Sequence, residues 1–202
     1  AERRQRGRVL GRARFEDRIE RANAEIWALS QSRGGATIGS TMAALLVFEH
    51  QFACFWLGDS RVYLLRDGGL TQLSRDHTEV QELIDRGLLT PAEAKNWPRR
   101  NVVTAAVGVS SDITIDMELG QIRAGDVFVL NTDGLTTHVS DAEIREAVLD
   151  NDPESACALL MQTVLERGGT DNVTIVIVKC LPQPADADTV LRPFDRDLRH
   201  VR

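Results

Sequence analysis

The sequence predicts a mixed α+β sandwich, on three observations. Strand signals crowd the first half, helix signals the second, and one apolar strand closes the pattern. Arg66-Asp67-Gly68-Gly69 lies between the apolar runs 62–65 and 70–73, a strong hairpin signal. Three times an apolar strand meets a tight turn bearing an aspartate. The run 52–57 leads into Gly58-Asp59-Ser60-Arg61, the run 127–132 leads into Asp133-Gly134-Leu135, and Gly168-Gly169-Thr170-Asp171-Asn172 opens the run 173–178. A doubly wound parallel sheet would instead alternate strand and helix throughout.

The elements follow in order. Phe15, Ile19, Ala22, Ile26 and Leu29 recur at helical spacing and predict an amphipathic helix over 15–30. Gly34, Gly35 and Gly39 then interrupt the chain. Strands are expected over 41–48 and 51–57, about a turn at Glu49-His50, and then in the hairpin. Thr78 with Gln81 reads as a capping box for a short helix closed by Gly87. Thr90-Pro91-Ala92-Glu93 is a second, whose helix Trp97-Pro98 must end. Residues 78–101 are thus a helical insertion between strands.

Strand character resumes over 102–107. Ile113, Ile115, Met117 and Leu119 alternate with polar residues, as in a half-buried strand over 113–119. After the strand 127–132, Ser140-Asp141-Ala142-Glu143 caps a helix to about residue 149. Asp152-Pro153 starts another, which stops at Gly168. The run 173–178 is almost wholly apolar and predicts a central strand. Beyond Pro182 periodicity is lost, and 182–202 reads as a flexible polar tail.

Composition bounds the function. A chain of 202 residues, 43% apolar and 27% charged, suits one globular domain with a real core. The net charge of −6 argues against a general nucleic-acid footprint. Residues 1–14 depart from it, with six arginines against Glu2. This basic segment reads as a solvated, partly disordered arm or as an arm for an anionic partner. Cys54, Cys157 and Cys180 match neither a zinc spacing nor a disulfide framework, which places the chain in a reducing, cytoplasmic compartment. No apolar run reaches membrane-spanning length.

Carboxylates at strand ends suit hard cations, because rigid backbone holds oxygen donors at fixed distances. Such groups can hold a pair of Mg²⁺ or Mn²⁺ ions, which acidify bound water and clamp a phosphoryl group. The competing reading is that Asp59, Asp133 and Asp171 only form turns and caps. The run 34–41 is glycine-rich but precedes a strand, which makes it a weak phosphate loop. His77 is open to two readings, an acid–base group or a structural residue at a helix start.

Taken as a series, the motifs are specific. Gly39-Ser40-Thr41, Gly58-Asp59-Ser60-Arg61-Val62-Tyr63, Leu73-Ser74-Arg75-Asp76-His77-Thr78, Val103-Thr104-Ala105-Ala106-Val107-Gly108, Asp133-Gly134-Leu135 and Thr170-Asp171-Asn172-Val173-Thr174 follow in that order. The set resembles bacterial metal-dependent serine/threonine protein phosphatases of type 2C over residues 15–180. The resemblance implies two central antiparallel sheets flanked by helices, four layers in all. It implies hydrolysis of phosphoserine or phosphothreonine by metal-activated water, on phosphoprotein substrates supplied by a cognate kinase. Two core Mn²⁺ or Mg²⁺ ions, with a third, are the implied cofactors. Asp133 and Asp171 match ligands of the core pair, and Asp59 matches the ligand of the additional ion. Arg61, Gly134 and Asn172 are implied supports, and 78–101 matches the flap beside the cleft.

The family's opening motifs, which supply a phosphate-binding arginine and a bridging aspartate, do not occur in residues 1–202. Since the chain starts at Ala1 rather than Met, they are expected upstream. The alternative is a non-catalytic, phosphatase-like binding or regulatory module. Thr189, in Asp188-Thr189-Val190-Leu191-Arg192, resembles a phosphothreonine site read by forkhead-associated domains, against an unstructured terminus.

Overall fold

The computed structural model describes residues 2–182 except Lys95. The elements are α1 (Glu2–Ser32), β1 (Met42–Phe48), β2 (Gln51–Leu57), β3 (Arg61–Arg66), β4 (Gly69–Gln72), α2 (Glu79–Asp85), α3 (Pro91–Ala94), β5 (Asp116–Gln121), β6 (Val127–Asn131), α4 (Asp133–Thr136), α5 (Asp141–Asp150), α6 (Pro153–Glu166) and β7 (Ile175–Lys179). The strands form two antiparallel sheets, ordered β1-β2-β5 and β4-β3-β6-β7.

Alternation along each strand divides the core into layers. Val62 and Leu64 of β3 join Phe52, Cys54 and Phe128 between the sheets. There the rings of Phe52 and Phe128 meet edge-on with centroids 4.9 Å apart. Tyr63 and Leu65, on the opposite face of β3, pack with Val127 and Val129 against Ile144, Ala147, Val148, Ala156, Leu160 and Val164. That face is the seat of α5 and α6. On the outside of the other sheet, Phe15 of α1 lies against Phe55 of β2, with centroids 4.6 Å apart. The architecture is the expected sandwich of two antiparallel sheets with helices outside.

Register sets the geometry of one edge. Arg61 at the start of β3 pairs with Asn131 at the end of β6, which pairs with Ile175 at the start of β7. The turns before β3, after β6 and before β7 therefore leave the same edge of the four-stranded sheet. Those turns carry Asp59, Asp133 and Asp171.

Several expectations are corrected. The basic segment 1–14 lies in α1 from Glu2 onward rather than forming a disordered arm. Arginine is a good helix former, and Arg12 meets Glu16 one turn on at 2.9 Å. Residues 102–107 form no strand: Val103 bridges Thr78, Val107 bridges Ser40, and nothing runs alongside the middle. The strand expected over 113–119 is displaced to β5, because 116–121 is the stretch that lies along β2. Leu119, opposite Ala53, is consequently 49% exposed. Among the described residues β7 pairs with β6 alone, so it is an edge strand. Its apolar run reflects two covered faces: Ile175 and Ile177 face the helices, and Val178 faces the other sheet. Gly34 and Gly35, both at positive φ, end α1 through the Gly35 N–H to the Ser30 carbonyl at 3.0 Å. The weak phosphate loop is a helix terminator.

The caps form where the spacing places them. The Ser140 hydroxyl accepts from the Glu143 N–H while Glu143 accepts from the Ser140 N–H. Thr90 and Glu93 are reciprocally bonded in the same way. Thr78 accepts from the Gln81 N–H, but the Gln81 side chain donates to Asp85, so only half of that expected box forms; the Asp152 side chain bonds Glu154 and Ser155.

Candidate metal centre

Asp59 lies in the turn between β2 and β3. Gly58 before it has φ +111°, and a Cβ there would collide with Thr41, so only glycine fits. Burial pushes the Asp59 carboxyl up to about 6, and the charge of Asp133 adds to the rise. A bond from its own backbone and the charge of Arg61 pull the other way.

Asp133 is the first residue of α4, following its cap Thr132. Asp171 stands in the loop before β7, where its Oδ1 accepts from the Asn172 N–H at 2.7 Å. The loops carrying these aspartates are laced together. Thr132 Oγ1 accepts from the Thr174 N–H at 3.0 Å, and the Thr132 N–H donates to the Thr174 carbonyl at 3.2 Å. Gly134 packs so closely on the Asn172 carbonyl that a Cβ would collide with it. Gly134 and Asn172 are therefore a joint between two loops.

Arg61 is held by Asp76. Its Nε and Nη2 reach the two carboxylate oxygens at 2.7–3.0 Å, in the bidentate fork that suits guanidinium and carboxylate. Arg61 Nη1 also donates to the Tyr63 hydroxyl, which donates to Asp141 at 3.0 Å. Gln72 completes the group by donating to Asp76. His77 is bound to Gly58 and to Asp116. Spacing in the sequence did not reveal Asp76 as the partner of Arg61, because the two meet only across the sheet edge. Asn131, 3% exposed, leaves its side-chain oxygen without a hydrogen-bond partner among the described residues.

The donor chemistry fits one hard divalent ion at Asp59 and Asp133, since both offer charged oxygens and relief of their repulsion favours a cation. Among the described residues no three acidic, histidine or cysteine side chains stand close enough to enclose a metal. Asp171 is therefore near in topology but not part of a closed cage. Soft ligation is disfavoured too: burial pushes the Cys54 thiol up to about 12, and the Cys157 and Cys180 thiols are also raised. Thr189 and the tail beyond Pro182 lie outside the described residues. Among those described, no helix is long and apolar enough to cross a membrane.

Known proteins share this fold. The family described as Protein phosphatase 2C matches residues 2–83. The chain is 33% identical over 173 residues to Protein phosphatase PhpP of Streptococcus pneumoniae, covering 85% of this chain and 70% of that protein. The crystal structure of the serine/threonine phosphatase PstP/Ppp of Mycobacterium tuberculosis superposes with a TM-score of 0.74 at 35% identity, covering 79% of this chain and 68% of that one. A structure of the PstP catalytic domain in complex with two manganese ions superposes at 0.70, with 34% identity, over 79% and 67% of the two chains. The two-sheet fold, the aspartate-bearing turns at one sheet edge and these likenesses have one common explanation: the chain belongs to the protein phosphatase 2C family of serine/threonine phosphatases.

Proposed function

We propose that this chain takes part in metal-dependent removal of phosphate from phosphoserine and phosphothreonine on proteins, opposing a cognate kinase. The observation that carries the reading is the strand register that brings the turns bearing Asp59, Asp133 and Asp171 to one edge of the four-stranded sheet. Asp59 and Asp133 would hold one Mn²⁺ or Mg²⁺ ion, and Asp171 would contribute to the metal set from the adjoining loop. Bound metal supplies an acidified water and neutralises phosphoryl charge. The part of this chain's own residues is orientation. Arg61, gripped by Asp76, holds the Asp59 turn, and the Gly134–Asn172 joint sets Asp133 against Asp171. The insertion 78–101 would form the wall that selects substrate.

The test is Mn²⁺-dependent phosphate release from a phosphothreonine peptide. Asp133→Asn should lower the rate about 100-fold or more, the loss of several kcal/mol of transition-state stabilisation. Release that is equal without metal, or unchanged in the variant, overturns the proposal. A second reading, a non-catalytic binding module, draws support from the open ligand set among the described residues. It predicts phosphopeptide binding with no release.

A further inference from the structure

His77 uses four polar groups to join three segments. Its N–H donates to the Gly58 carbonyl at 2.9 Å, and its carbonyl accepts from the Thr104 N–H at 2.8 Å. Its ring Nδ1 accepts from the Gly58 N–H at 3.1 Å, and its Nε2 lies 3.1 Å from Asp116 Oδ2. An accepting Nδ1 leaves the ring hydrogen on Nε2, so the ring donates to Asp116. One residue therefore grips both backbone groups of Gly58, and Gly58 directly precedes Asp59.

The grip is anchored on two sides. Asp116 is the first residue of β5 and sits in register with Trp56 of β2. Behind His77, Thr78 caps α2 and bridges Val103, and the Glu79 N–H donates to the Val102 carbonyl. His77 thus stands at the root of the insertion 78–101. A cleft of about 880 Å³ opens there, walled by Asp76, His77, Glu82, Thr104 and Asp116 among others. The turn it grips is tied on another side by Ser60, whose hydroxyl lies 2.9 Å from Thr41 Oγ1. Gly58 itself adopts φ +111° and has no side chain to contribute a bond of its own.

We propose that His77 is a positioning residue, which holds the Asp59 carboxylate opposite Asp133 by clamping the Gly58 peptide, and so ties the cation site to the base of the insertion. It touches neither cation nor substrate. The proposal rests on the reading of Asp59 and Asp133 as a cation site, although it does not require phosphatase activity. Partners behind metal ligands commonly set affinity by about 10–100-fold.

The experiment is a Mn²⁺ titration of the whole chain, followed by the electron paramagnetic resonance signal of free Mn²⁺. Folding of each variant is checked by circular dichroism. Two variants separate the two ring bonds. In His77→Asn the side-chain oxygen takes the place of Nδ1 and keeps the bond to Gly58. In His77→Gln the amide reaches toward Asp116 and gives up Gly58. His77→Asn should bind Mn²⁺ within about threefold of the parent, while His77→Gln and His77→Ala bind about tenfold or more weakly. Parent-like binding by His77→Ala, or an Asn variant as weak as the alanine one, overturns the proposal. Should His77→Ala fail to fold, the Asn and Gln variants still decide, since each keeps one bond. If the parent binds no Mn²⁺, or Asp133→Asn binds as the parent does, the cation site itself is refuted and the proposal with it. Binding that follows the expected order without phosphate release refutes the enzymatic reading alone.

Discussion

Asp59 shows how a single residue's surroundings set its chemistry. Its carboxyl is raised from the ordinary 3.8 to about 6 by burial and by Asp133. The folded protein therefore binds more protons than the unfolded chain between about pH 4 and 6. In chelator-treated protein this group's contribution to stability falls as pH rises through that window, and levels off above it. Asp59→Asn removes the ionised form. The metal-free variant should exceed the parent in stability by about 1 kcal/mol above pH 6, after allowance for solvent contact, with the gap closing below pH 4. Urea unfolding at several pH values measures it. Gly134→Ala forces a Cβ onto the Asn172 carbonyl, and should cost about 1–3 kcal/mol by overpacking. Weakened Mn²⁺ binding in that variant would show that the loop joint also orients Asp133. The residue types of the site were legible as Asp-bearing turns, because strand and turn signals are local. The Arg61–Asp76 fork was not, since residues fifteen apart in sequence give no signal of meeting at a sheet edge.

At the scale of elements, helix ends were the most readable feature. Caps are local, with donor, acceptor and spacing all within four residues, and Ser140 and Glu143 close the expected box. Ser140→Ala should destabilise the protein by about 1 kcal/mol, read as a lower thermal midpoint, through loss of the α5 cap. Strands were less readable. The stretch 102–107 has strand composition but no neighbour along its middle, and 113–115 alternates without lying on β2. A strand is completed by a partner remote in sequence, so composition alone cannot supply it. The edge position of β7 has the same origin: apolar residues on both faces report cover above and below, not pairing at either side.

For the whole molecule, the layer between the sheets carries the architecture. Phe128, fully buried on Phe52, is the largest side chain of β6 in that layer. Phe128→Ala should cost about 3–5 kcal/mol in urea unfolding, because the cavity would lie between two rigid sheets that cannot both collapse into it. A loss below about 1 kcal/mol would show that the layer repacks. Sequence alone determined the local pieces of this protein: helices with their caps, the Asp-Gly hairpin, the aspartates on turns, and an ordered motif series resembling the phosphatase family. These rest on interactions within a few residues or on matches of residue order. Only the tertiary structure decided that antiparallel register brings the ends of β3, β6 and β7 to one edge, that burial and the charge of Asp133 act on Asp59, and that His77 grips the Gly58 peptide just before Asp59. Those outcomes depend on which strands pair and in what register, and pairing is settled by long-range packing of the core rather than by any short stretch of chain.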